Sequence, residues 1–150
     1  MFSDLQMKII EKITEIYENI LPKNPIMLPH LEALEYFERL IMNGNIITYV
    51  KDGELLGFIE FWRITPEQFG KVCCGMILAH EEDLLTGEIC LITRMYITPD
   101  MRNSEVFINM GREFLSKNIT SSYFVALQQH KHHKPIQVYT RDEILKHYKI

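Results

Sequence analysis

Residues 89–98, ICLITRMYIT, are apolar on both alternating sets, and no other run in the chain narrows its fold as much. Successive side chains of a strand point to opposite faces, so a strand with one wet face carries polar residues at every second position. A strand that is apolar both ways belongs in the middle of a sheet with both faces covered. The cover has to come from helices elsewhere in the chain. With 150 residues, 47% apolar and 24% charged, there is enough material for one domain with a real buried core.

Two amphipathic helices precede any strand. Ser3 followed three positions later by Gln6 forms a capping-box signal, and Leu5, Ile9, Ile13, Ile16, Tyr17 and Ile20 then recur at helical spacing until Pro22. A second helix begins at about Pro29, a residue suited to a first turn. Its stripe is Leu31, Leu34, Phe37, Leu40 and Ile41, and it stops at Asn43-Gly44. From Asn45 the composition turns β-branched and aromatic: residues 46–50, then Lys51-Asp52-Gly53-Glu54, then 55–65. Asp52 and Gly53 both tolerate the positive φ of a type I′ turn, which predicts a hairpin with Lys51 and Glu54 facing each other as an opposite-charge pair.

Residues 66–88 read as an insertion: a short helix starts at Pro66 and runs to roughly Met76, weakened by Gly70 and Gly75, and residues 80–83 are solvated. After the strand at 89–98, Pro99 ends the pairing and a helix runs from Ser104 or Glu105 to Lys117. Val106, Phe107, Met110 and Phe114 form its buried side, and Gly111 permits close approach to a sheet. Residues 123–128 and 136–140 read as strands, and 141–148 as a terminal helical turn or two. The expected fold class is therefore α/β: a mixed sheet with helices packed against it, in a single domain.

No window approaches the roughly 18 apolar residues of a membrane span, and the amino terminus lacks the pattern of a signal peptide, so a soluble cytoplasmic protein is expected. Cys73, Cys74 and Cys90 are odd in number, two of them adjacent, with no C-x-x-C spacing; they read as reduced thiols, mostly buried. The net charge of −4 is unevenly spread. Residues 129–150 hold five Lys or Arg against two acids, a surplus of +3 that leaves −7 on the first 128 residues. A polyanion such as nucleic acid would meet the carboxyl-terminal end first.

The run MYITPDMRNSEVFINMGREFL, residues 95–115, joins strand, proline, polar loop and helix. It resembles the pyrophosphate-binding segment of the GNAT superfamily of coenzyme A-dependent N-acyltransferases. There a loop of the form Arg/Gln-x-x-Gly-x-Gly/Ala turns its backbone N–H groups toward the diphosphate at a helix start, where unpaired donors and the dipole favour an anion. The order of elements is similar too: two helices, a hairpin carrying Gly-Phe-Ile-Glu-Phe at 57–61, then the central strand. The resemblance implies a GNAT-like, mostly antiparallel sheet flanked by helices. Arg102 falls on the motif's first position, while Glu105 and Phe107 fall on its two small-residue positions. Such a departure from the glycine pattern resembles small phage-type members of the superfamily.

The resemblance further implies acetyl-CoA as acyl donor, with Arg102, Asn103 and Ser104 holding its diphosphate. The backbone of Met95 and Ile97 would face the acyl carbonyl and pantetheine where the central strand splays from its neighbour. Direct transfer to an amine, on a small molecule or a protein, needs a base and an acid. Glu60, between Ile59 and Phe61, is the candidate base, and Tyr139 or Tyr123 the candidate acid. Glu60 has a second reading, as the structural partner of Arg94, the lone charge of the neighbouring strand. Against the enzyme stands a non-catalytic GNAT-fold binding, virion or regulatory component whose phosphate loop has lost its purpose. The histidines at 130, 132 and 133, with Lys131 and Lys134, lack the Cys or acidic partners of a zinc site and read as a solvated basic stretch, so no metal is expected. With Tyr123, Phe124 and Tyr139 as stacking partners, the same stretch offers a phosphate or nucleic-acid contact. Trp62 reads as packing.

Overall fold

The computed structural model of the chain describes residues 2–21, 27–73, 87–102, 105–118, 120–127 and 136–148. In chain order they form α1 (Asp4–Asn19), α2 (His30–Asn43), β1 (Ile46–Lys51), β2 (Glu54–Ile64), α3 (Pro66–Cys73) and β3 (Ile89–Ile97). A 3-10 turn (Pro99–Met101), α4 (Glu105–Lys117), β4 (Tyr123–Leu127), β5 (Ile136–Thr140) and α5 (Arg141–Tyr148) follow.

The local signals act where the sequence places them. Ser3 Oγ accepts from the Gln6 amide at 3.1 Å while Gln6 Oε1 accepts from the Ser3 amide at 2.8 Å, so two of the four orphan donors of α1 are satisfied reciprocally. Pro29 stands one position before α2, as its N-cap, rather than inside its first turn. Gly44 closes that helix in the left-handed region at φ 80°, and its N–H reaches the Leu40 and Ile41 carbonyls. Asp52 (φ 53°) and Gly53 (φ 78°) make the hairpin turn, with Lys51 paired in register to Glu54.

The sheet order is β1-β2-β3-β4-β5, antiparallel throughout except for the β3–β4 pair, whose crossover is supplied by α4. The doubly apolar strand is thus the central one. On one face Phe58 and Tyr96 pack with Ile10, Ile13 and Ile16 of α1 and Phe37 of α2. On the other, Ile59, Phe61 and Phe124 pack with Met110 and Phe114 of α4, joined by Ile144 of α5. A smaller cluster, Ile64, Ile89, Leu91 and Val125, continues the first face beside Phe69 of α3. The fold class expected from the sequence is the one observed.

Close approach of α4 to the sheet is made at a glycine of the sheet. A Cβ on Gly57 of β2 would stand 2.8 Å from the Tyr96 carbonyl oxygen and 2.9 Å from Met110 Sδ. Within 66–88, α3 begins at Pro66 as anticipated, and residues 74–86 lie outside the described residues. The chain returns at Gly87, whose carbonyl accepts from Arg63 Nε at 2.7 Å and whose backbone lies against Ile64 with no room for a Cβ. No helix among the described residues is long and apolar enough to cross a membrane.

Candidate functional site

The site begins with an irregularity in β3. Glu60 pairs with Arg94 and Phe61 with Ile92, which leaves Thr93 without a partner on β2. One extra residue on one strand is a β-bulge. In a regular strand Thr93 and Arg94 would point to opposite faces. Here both side chains reach the same carboxylate: Thr93 Oγ1 donates to Glu60 Oε2 at 2.6 Å, and Arg94 Nη1 contacts Oε1 at 2.9 Å and Oε2 at 2.6 Å.

The Tyr36 hydroxyl of α2 adds a fourth contact, donating to Glu60 Oε1 at 3.2 Å. A carboxylate offers about four lone-pair sites, and these four contacts occupy them. Glu60 is fully buried and the Arg94 side chain is 18% exposed. The guanidinium carbon lies over three rings, 5.1 Å from the centroid of Tyr17 and 5.9 Å from those of Tyr36 and Phe37, so aromatic faces replace much of the water it gives up. Burial works against the charge of Arg94, but Glu60 and Tyr36 outweigh it and its pKa is raised. Burial, reinforced by the Glu60 charge, pushes the Tyr36 phenol well above its usual value. Trp62 Nε1 donates to Thr93 Oγ1 at 3.1 Å, so the hydroxyl relays from indole to carboxylate. Trp62 therefore packs, as expected, and also holds the network. Of the two readings of Glu60, the geometry is that of the ion pair, with no lone pair directed at an incoming amine.

Directly after the bulge, among the described residues, the sheet opens on the β4 side of β3. The β3–β4 pairing runs from Ile89↔Tyr123 to Ile92↔Ala126 and ends there, while β3 continues to Ile97. The Thr98 amide donates to the Leu56 carbonyl of β2 at 2.9 Å. Backbone groups alternate edges along a strand, so the amides of Met95 and Ile97 point away from β2, toward the side that β4 has left. The Ile97 carbonyl, on that same edge, accepts from Arg102 Nε at 3.3 Å. Arg102 itself is exposed at the end of the 3-10 turn, just before α4. Met95 is 52% exposed. Of the two side chains on the motif's small-residue positions, Glu105 is exposed in the first turn of α4, where an acid suits the dipole, and Phe107 packs on the α4-side core. Asn103 and Ser104 lie outside the described residues, as does the histidine-lysine run at 130–134.

The tyrosines named as candidate acids are not in this group. Tyr139 of β5 is in register with Phe124, which is in register with Cys90, which faces Arg63. That row lies three residues along β2 from Glu60 and Tyr139 is three strands over, a separation on the order of 17 Å. Tyr139 also shares the face of Phe124, the α4 face, whereas Glu60 looks toward α1 and α2. Tyr123 begins β4 opposite Thr140, at that same distant end. The residues that do complete the cluster, Thr93 and Tyr36, had no distinguishing sequence signal: a bulge shifts the face of every residue after it and is invisible to alternation.

Cys90 is a free thiol, fully buried, its pKa pushed up to about 12 by burial, with Arg63 pulling it the other way. Iodoacetamide should leave Cys90 unmodified in the native protein and alkylate it fully in urea, read on its own peptide by mass spectrometry. Rapid native labelling would contradict this burial. Cys74 lies outside the described residues.

No protein-family model matches the chain, and no curated protein sequence does. Solved structures do match. A GphF GNAT-like decarboxylase in complex with isobutyryl-CoA aligns at TM-score 0.53 and 12% identity over 80% of this chain and 61% of its own. The loading GNATL domain of CurA from Lyngbya majuscula aligns at 0.54 and 13%, over 85% of this chain and 63% of its own. An N-acetyltransferase from Staphylococcus aureus Mu50 aligns at 0.52 and 14%, over 87% and 70%. The chain thus spans less than two thirds of the first two structures it matches. Identities this low speak for architecture alone, and the architecture shared is the GNAT-like fold.

Proposed function

We propose that the protein transfers an acyl group, acetyl in the simplest case, from coenzyme A to an amine. The observation that carries this reading is the edge of β3 beyond Ile92 that faces away from β2, which no described strand pairs and on which the Met95 and Ile97 amides lie. Those amides are the donors a thioester carbonyl and a pantetheine arm would need, and Arg102 with the first turn of α4 lies one turn away for the diphosphate. Asn103 and Ser104 complete the proposed diphosphate loop. Coenzyme A supplies an activated acyl group: the amine nitrogen bonds to the carbonyl carbon, the C–S bond breaks, and the departing thiolate takes up the proton that the amine nitrogen loses. The protein's part is to orient and to exclude water.

With the lone pairs of Glu60 engaged, the amine enters as its free base. The pH profile follows from that. The value of kcat/KM should rise tenfold per pH unit until pH passes the acceptor's own pKa, about 8 for an α-amine or 10.4 for a lysine. The same profile shape should persist in Glu60→Gln. A profile that loses its limb in Glu60→Gln would assign the base to Glu60 after all.

Binding is tested by thermal melting. Acetyl-CoA at 100 times its dissociation constant should stabilise the fold by about 2.7 kcal/mol, a rise of roughly 5–11 °C for this size of domain. No shift at millimolar acetyl-CoA would reject the reading. A shift without acetylated product over a panel of amines would favour the non-catalytic binding protein.

A further inference from the structure

We infer that Thr93 and Glu60 are positioning residues for the acyl-CoA edge: their hydrogen bond, with that of Arg94, pins the bulge that sets which amides face the opening. The inference rests on the acyl-transfer reading for what the edge binds, but not for how the edge is built.

Three observations lead to it. Thr93 is the residue left unpaired on β2, and the β3–β4 pairing ends at Ile92, the residue immediately before it. The bulge is thus the point at which the central strand leaves its parallel neighbour. A one-residue slip in a strand exchanges both its faces and its edges. Without the bulge, Arg94 and Tyr96 would turn their amides to the opening, and Met95 and Ile97 would turn theirs to β2. The slip is prevented by side chains that bind only in the bulged register. Thr93 Oγ1 is held between the Trp62 indole and Glu60 Oε2, at 3.1 and 2.6 Å, and Arg94 is held to the same carboxylate. Glu60 is fully buried, so bulk solvent offers its bonds no substitute. A carboxylate at this place in β2 thereby acts on the chemistry through the backbone of β3, and never touches the substrate.

Thr93→Val tests this with little change of shape, since valine keeps the β-branch and lacks the hydroxyl. Amide hydrogen exchange is read residue by residue by NMR without ligand, and acetyl-CoA affinity by calorimetry. In the wild type, Met95 and Ile97 should exchange at least tenfold faster than Arg94 and Tyr96. In Thr93→Val, and in Glu60→Gln as a second variant, this contrast should shrink several-fold. Acetyl-CoA affinity should fall about tenfold while the protein is still folded at the assay temperature. Thr93→Ser, which restores the hydroxyl, should restore both. An undiminished contrast in both variants would overturn the inference, and so would unchanged affinity. Should the wild type bind no acetyl-CoA, the acyl-transfer reading fails, and the exchange contrast alone still decides whether the bulge is pinned as described.

Discussion

Replacing Arg94 by methionine is expected to destabilise the protein by about 3–5 kcal/mol, the cost of leaving a buried carboxylate without its counter-charge. Glu60 is 0% exposed, its other contacts come from two hydroxyls, and neither hydroxyl carries the charge that offsets its burial. Methionine fills much of the volume that the arginine stem occupies against Tyr17, Tyr36 and Phe37, so the loss is electrostatic in the main rather than a cavity. The melting temperature should drop by roughly 6–20 °C. Adding Glu60→Gln should return most of the loss, because a neutral amide costs far less to bury than a lone carboxylate. Urea unfolding of the wild type, both single variants and the double variant measures the coupling directly. Additive effects would mean that the two charges do not depend on each other, contrary to the geometry.

The second large effect is expected at Gly57. A valine there would drive its Cβ into the Tyr96 carbonyl, a backbone atom that cannot rotate away, and its methyl groups toward Met110 Sδ and the Ile97 side chain. Overpacking of this kind costs about 1–3 kcal/mol, and the rigid neighbour puts Gly57→Val near the upper figure, a fall of roughly 6–12 °C. Gly57 sits opposite Ile97 in the β2–β3 register, so the strain falls on the end of β3 that faces the opening. Acetyl-CoA affinity should weaken in the same variant. A melting temperature within 2 °C of wild type would mean that α4 and β3 yield more easily than their packing implies.

Most of the fold was legible because local and long-range signals agree. The Ser3–Gln6 cap, the Asp52-Gly53 turn and the doubly apolar central strand each specify their element independently, and the elements bury one another's apolar faces in this layered arrangement. The carboxylate was legible as well, since a lone glutamate in an apolar strand beside a lone arginine in the next is a pairing that burial enforces. What could not be read is how residues combine across the bulge. Thr93 in β3 and Tyr36 in α2 look like ordinary strand and helix residues, and only three-dimensional register brings their hydroxyls to Glu60. The distance of Tyr139, the candidate acid, from Glu60 was hidden for the same reason. Strand counting alone does not tell which row of the sheet a tyrosine joins, and here it joins one at the wrong end and on the wrong face.

The pinned bulge and the open edge of β3 meet at the backbone amides of Met95 and Ile97. Wild-type protein should be titrated with acetyl-CoA while amide exchange is followed along residues 93–97. The proposed acyl-CoA edge requires that Met95 and Ile97 become protected at saturation, with Arg94 and Tyr96, already paired to β2, hardly changed. Protection spread evenly over the strand, or binding that leaves Met95 and Ile97 exchanging as before, would contradict it.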